Sequence, residues 1–170
     1  VLLSRLRRVC EDTILINRQT VRLNPAYDVW LDTAAFQQTI LQKPEVALKL
    51  YRGDFLETIQ VQDAKGFVEW AAVEREQYRL MALEALLCLV HQYEASGQFQ
   101  QAITYAQQLI TIGRTTPFDP PHQGWHRNLI QLYLQTGQRP QAEAQLAACW
   151  HVLQQTFGQE PAPATFNLLR

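Results

Sequence analysis

Two histidines stand four residues apart in the run His122-Gln-Gly-Trp-His126. On a helix that spacing puts both imidazoles on one face, as a zinc-dependent hydrolase requires. The same chemistry needs a glutamate between them as base, and Gln123 stands there instead, while Gly124 weakens the helix. A pair at a helix start, with His126 packing or bonding locally, fits these residues better. A serine nucleophile has only Ser4 and Ser96 to draw on, and Ser96 precedes Gly97 with no G-x-S-x-G context. The seven glycines are too dispersed for a phosphate-cradling loop. Cys10, Cys88 and Cys149 are far apart with no C-x-x-C, and read as small buried apolar residues of a reduced protein. Glu69, Glu74 and Glu76 are spaced from Arg75 and Arg79 as solvated i,i+4 pairs. Tyr93, Tyr105, Tyr133, Trp125 and Trp150 fall at helical-repeat positions, where aromatics pack a core. Arg52-Gly53-Asp54 has the letters of an integrin-binding tripeptide, but its expected role is mechanical: Gly53 turns the chain and Arg52 or Asp54 ties the turn to a neighbouring helix. No catalytic residue, metal site or cofactor follows from any of these groups, and the chain reads as a non-enzyme.

The elements that carry these residues are organised around Leu86–Ile112, because the chain makes much of that stretch twice. Displaced by 40 positions, Leu89, Tyr93, Gly97, Gln98, Gln101 and Ala102 fall on Leu129, Tyr133, Gly137, Gln138, Gln141 and Ala142, 6 identities in 14 positions. Each copy reads helix, glycine, helix. Gly97 and Gly137 take the left-handed position that ends the first helix, and Ala102 and Ala142 let the second lie close to it. A helical hairpin recurring at this period is the mark of helical repeat arrays of the tetratricopeptide type. The expected fold is all-α, with helical-hairpin repeats in a right-handed superhelix and a short N-terminal helix and β-hairpin before them.

Of the 170 residues 47% are hydrophobic and 18% charged, which is ample for a core and excludes a disordered chain. The net charge of −1 argues against a polyanion-binding surface overall. Arg5, Arg7, Arg8, Arg18 and Arg22 against Glu11 and Asp12 nevertheless leave residues 1–22 at +3, so the remainder carries −4. In residues 2–9, Leu2, Leu3, Leu6 and Val9 share one helical face with arginines around it. The β-branched runs Thr13–Asn17 and Thr20–Leu23, separated by Arg18-Gln19, predict a hairpin. A basic helix then a hairpin is how a winged helix-turn-helix ends; an ordinary surface helix with a ribbon fits equally. The start at Val1, directly on helix, suggests a piece of a longer protein. The most apolar run, Leu80–Val90, is broken by Glu84 and too short for a membrane span, so a cytoplasmic location is expected.

Further on, Asp32 caps a helix through Phe36 and Ile40, and Pro44 opens the next, which Gly53 ends. This makes a first helical pair, shorter than the later two. Residues 54–65 read as irregular, and the longest helix runs from about Gly66 to Ala95. Its stretch Leu80–Val90 is apolar nearly all round, as for a helix packed on both sides. Its partner covers 99–112, the proline-rich 115–121 connects, and the last pair covers roughly 121–136 and 139–156. The tail folds back on Phe166 and Leu169.

The run Ala47-Leu-Lys-Leu-Tyr-Arg-Gly-Asp-Phe-Leu56 resembles the signature of the bacterial transcriptional activator domain of antibiotic-regulatory-protein type regulators. Asp32 and Phe36 before it, Trp70, Glu74 and Arg75 after it, Ala102-Ile103, His126-Arg127, and Gly158, Glu160, Pro161 and Thr165 match the same pattern in order. Leu6-Arg-Arg-Val9 and Val21-Arg-Leu23 are similar to the end of the winged-helix domain that precedes it in that family. Gln123, Cys10 and Val21 depart from the pattern, where the family has an acidic residue, a leucine and an aromatic; the last two loosen the wing. The resemblance implies residues 1–27 as a winged-helix remnant and 28–170 as the helical-repeat activator domain. It implies a non-catalytic part of a DNA-binding regulator that mediates self-association, positions the DNA-binding domain or contacts the transcription machinery. Expected partners are the other domains of the same protein, a second copy, DNA through the upstream domain, and RNA polymerase, with no membrane role. Arg5, Arg7, Arg8, Arg18 and Arg22 would touch the DNA backbone, weakly and in the intact protein. Tyr51, Arg52, Gly53, Asp54, Phe55, Trp70, Arg75, Gly97, Ala102, Gly137 and Ala142 would form the structural motif. The alternative is a general tetratricopeptide-like scaffold with no DNA role.

Overall fold

The computed structural model describes residues 5, 8–113 and 122–169. They divide into two compact units, residues 1–35 and 36–170. Arg7, Leu2, Leu3, Leu6 and the connector 115–121 lie outside the described residues.

In the first unit, residues 8–10 are helical and a 3₁₀ turn, Glu11–Thr13, leads into β1, Ile14–Ile16. β2, Val21–Leu23, pairs with it antiparallel, Ile14 opposite Leu23 and Ile16 opposite Val21. The hairpin expected from the change of period is therefore present. Asn17 sets its turn: the Oδ1 accepts from the backbone N–H groups of Gln19 and Thr20 at 2.8 and 2.7 Å. That asparagine geometry mimics a backbone turn and needs no glycine.

Helices make the second unit: α1 (Asp32–Thr39, which starts before it), α2 (Pro44–Leu48), α3 (Lys65–Ala95), α4 (Phe99–Gly113), α5 (His122–Gln135), α6 (Arg139–Phe157) and α7 (Pro163–Phe166). This is the all-α helical-repeat fold that the 40-residue period implied. α3 and α4 pack along each other, as do α5 and α6, and α4 packs on α5. Both hairpin turns use one device. The Gln98 N–H reaches the Tyr93 carbonyl at 2.9 Å and Gly97 N–H that of Glu94 at 3.0 Å; Gln138 and Gly137 repeat the pair on Tyr133 and Leu134. With φ of 72° and 73° at the glycines, each is a Schellman closure that satisfies the carbonyls left over at a helix end. Ala102 and Ala142 are fully buried directly after, so the second helix of each pair approaches without a side chain in the way.

The core has three parts along α3, which at 31 residues is long enough to serve them all; the middle one is Leu83 and Leu86 against Leu109 of α4. Another gathers Val90, Ile103, Ile110, Leu129, Ile130 and Leu132 between α3, α4 and α5. The third sets Phe36, Ile40 and Ala47 against Ala82 and Ala85. The first pair is shorter still than expected. α2 ends at Leu48, not at Gly53, because Lys49–Arg52 leave the helix so that Tyr51 can turn in against Phe36, 6.0 Å between rings. The tail folds back as predicted: Phe166 meets Trp150 edge-on at 5.1 Å, Leu168 and Leu169 join the core, and Arg139 Nη2 donates to the Leu169 carbonyl at 2.8 Å.

Two readings are corrected. α3 is not packed all round, since Leu80, Glu84 and Cys88 are exposed on one face. Nor are the three cysteines alike: Cys149 is buried, Cys10 partly buried and Cys88 exposed. Among the described residues no helix is long and apolar enough to cross a membrane.

Candidate functional site

The run Tyr51–Leu56 forms a turn clasped to the first half of α3. Four residues on that helix make the clasp: Arg75, Tyr78 and Arg79, which spacings of three and four bring to one side, and Trp70 a turn earlier. Trp70 meets Phe55 edge-on at 5.6 Å, and Tyr78 meets it at 5.4 Å. The Arg75 guanidinium donates Nε to the Phe55 carbonyl at 2.6 Å and Nη2 to the Leu56 carbonyl at 2.7 Å. Arg79 Nη2 meets the Asp54 carboxylate at 2.6 Å and its Nη1 meets Glu76 at 3.0 Å. Asp54 also accepts from the Tyr51 hydroxyl at 3.0 Å. Of the named residues Tyr51, Asp54, Phe55, Trp70 and Arg75 thus stand together, whereas Arg52 is exposed.

The electrostatics follow from burial. Arg79 is 8% exposed, and desolvation alone would loosen its proton. The hydrogen bond to Asp54, the Asp54 charge and the Glu76 charge outweigh that penalty and raise its pKa. Tyr51 is pushed up to about 12, first by burial and then by its hydrogen bond to Asp54 and that residue's charge. The network therefore holds a fixed cation and neutral phenol. It is suited to fastening backbone and has no proton to exchange near neutrality.

Two details differ from expectation. Gly53 lies in a bend without a positive φ; the left-handed residue of the turn is Leu56, at φ 51°. Leucine is strained there, and the two Arg75 bonds hold the carbonyls on either side of its Cα region in place. Arg79 is the residue that sequence reasoning missed. Its i,i+3 spacing to Glu76 looks like an ordinary surface pair, and only Asp54, 25 positions earlier, turns it inward. The signal was available in the alanines Ala71, Ala82 and Ala85, which mark that side of α3 as close-packed.

The remaining sites lie elsewhere. Arg5 and Arg8 are exposed on the N-terminal segment, Arg18 in the hairpin turn and Arg22 on β2 opposite Leu15. His126 is 2% exposed, its Nδ1 at 2.5 Å from Gln145 Nε2 across the α5–α6 pair. Among the described residues no group of three His, Cys, Asp or Glu side chains gathers as a metal site would require.

A family model described as bacterial transcriptional activator domain matches residues 31–170, beginning one residue before α1. No curated protein and no solved structure matches the chain.

Proposed function

The chain belongs to the bacterial transcriptional activator domain family, and from that premise we propose that residues 28–170 are the non-catalytic regulatory and interaction domain of a DNA-binding transcription regulator working in the cytoplasm. The match over residues 31–170 carries the proposal. Residues 1–27 then form the end of a winged-helix DNA-binding domain: the arginine-bearing segment is the tail of the recognition helix and the β1–β2 hairpin is the wing. In such a domain the recognition helix reads bases in the major groove, and arginines at its end and on the wing hold phosphates. Exposed Arg5, Arg8, Arg18 and Arg22 are consistent with that role. The helical repeats serve self-association, placement of the DNA-binding part or contact with RNA polymerase. The clasp keeps the first half of α3 rigid for this purpose, since the turn between α2 and α3 would otherwise be free to move.

Gel-shift titrations of the 170-residue chain and the intact regulator on the same promoter fragments test the division of labour. The intact protein should bind selectively. The chain alone should bind no tighter than about 10⁻⁴ M at physiological salt, since a few phosphate contacts supply only non-specific affinity. Tight, selective binding by residues 1–170 would place DNA contacts on the repeats and overturn the proposal.

A further inference from the structure

One side of α3, which borders the clasp at Trp70 and the core at Leu87, has a pattern of its own. Trp70, Val73, Gln77, Leu80, Glu84 and Leu87 recur at alternating steps of three and four, and His91 continues the series. That is the a/d period of a helix that pairs lengthwise with another. Yet Trp70, Val73 and Leu80 are 47%, 57% and 49% exposed. Phe55 and Phe67 flank the Trp70 ring at 5.6 and 5.7 Å, so this anchor is held in place before anything covers it.

The side chains beside and within the seam that carry charge are glutamates. Glu69 and Glu74 flank its upper part, and Glu84 stands within it. Of the cations in the same stretch, Arg75 holds two carbonyls and Arg79 is buried between Asp54 and Glu76, while Lys65 pairs with Glu69 at 3.7 Å in a water-exposed contact of little strength, so Glu69 is open to a partner only in exchange for Lys65. A second copy on this face would bring these carboxylates toward their equivalents, and such like-charge juxtaposition is selected against in specific interfaces. We propose that the seam docks a cationic amphipathic helix of a partner protein. Apolar side chains at its own a and d positions would seat on Trp70, Val73 and Leu80, and lysines or arginines alongside would meet Glu69, Glu74 and Glu84. The inference rests on the geometry of α3 and stands apart from the transcriptional reading.

A synthetic three-heptad peptide with leucine at a and d and lysine at e and g is the probe, followed by fluorescence anisotropy with the 170-residue chain. A twin with glutamate for lysine and an isomer of shuffled order are the controls. The lysine peptide should bind about tenfold or more tightly than either control. Leu80→Glu should lose that binding with an unchanged circular dichroism spectrum, and the double variant Glu69→Lys, Glu84→Lys should prefer the glutamate peptide. Equal binding of all three peptides would overturn the proposal, as would undiminished binding by Leu80→Glu. So would a dimer in sedimentation equilibrium that Leu80→Glu dissolves, which would assign the seam to a second copy.

Discussion

At Gly97 and Gly137 an added Cβ would meet nothing within 4 Å, so any cost of a side chain there is conformational alone. The left-handed penalty for an L-residue is roughly 1–2 kcal/mol, and Gly97→Ala and Gly137→Ala should each lose about that much in denaturant titration. Gly53→Ala should be close to neutral, because its φ is not positive and its Cβ would meet only the Glu57 carboxylate at 3.2 Å. Arg79→Met should cost about 2–3 kcal/mol by leaving the Asp54 charge without its buried partner, at the lower end for a broken ion pair since Asp54 keeps some water. The pH dependence has a definite sign. Burial pushes the Cys149 thiol up from 9.0 to about 11, and burial with Asp54 pushes Tyr51 up from 10.0 to about 12. Both folded values exceed the unfolded ones, so the stability they carry is complete below pH 9 and is lost as pH rises towards 12. Melting temperature should fall across that window, and less steeply in a Tyr51→Phe, Cys149→Ala double variant. An equally steep fall in the double variant would show that other groups control alkaline unfolding.

Between elements, the hairpin turns were legible because each is local: a glycine, the residue after it and an alanine five positions beyond the glycine specify the closure and the approach of the next helix. The length of α3 could be read for the same reason, from apolar periodicity over a continuous stretch, and the returning tail from its apolar anchors Phe166 and Leu169. What escaped the sequence depends on distant partners. The early end of α2 follows from Tyr51 turning toward Phe36, and the burial of Arg79 from Asp54 arriving 25 residues before it. The exposed face of α3 was masked by the apolar content of Leu80–Val90, which counts residues without saying which side a neighbour covers. Gly113, at the end of α4, gives another inter-element test. A Cβ there would collide with the Trp125 ring on α5, so Gly113→Ala forces either the ring or the two helices to shift. Overpacking of this kind costs about 1–3 kcal/mol, and a variant as stable as the parent would show that the Trp125 ring can swing clear.

For the whole molecule, the division between a basic first segment and a repeat body of charge −4 is what separates the proposed roles. In an intact regulator, alanine at Arg5, Arg8 and Arg18 should weaken binding to all DNA sequences alike and lower the salt dependence, because phosphate contacts carry no sequence information. In the proposed reading residues 31–170 act on transcription through protein contacts, without touching DNA. Fusing them to a monomeric DNA-binding module that cannot dimerise, with its operator upstream of a bacterial reporter, tests this most directly. Reporter output should change several-fold relative to the module alone, through self-association or through contact with the polymerase. A fusion that accumulates, binds the operator no better than the module alone and leaves output unchanged would contradict that reading.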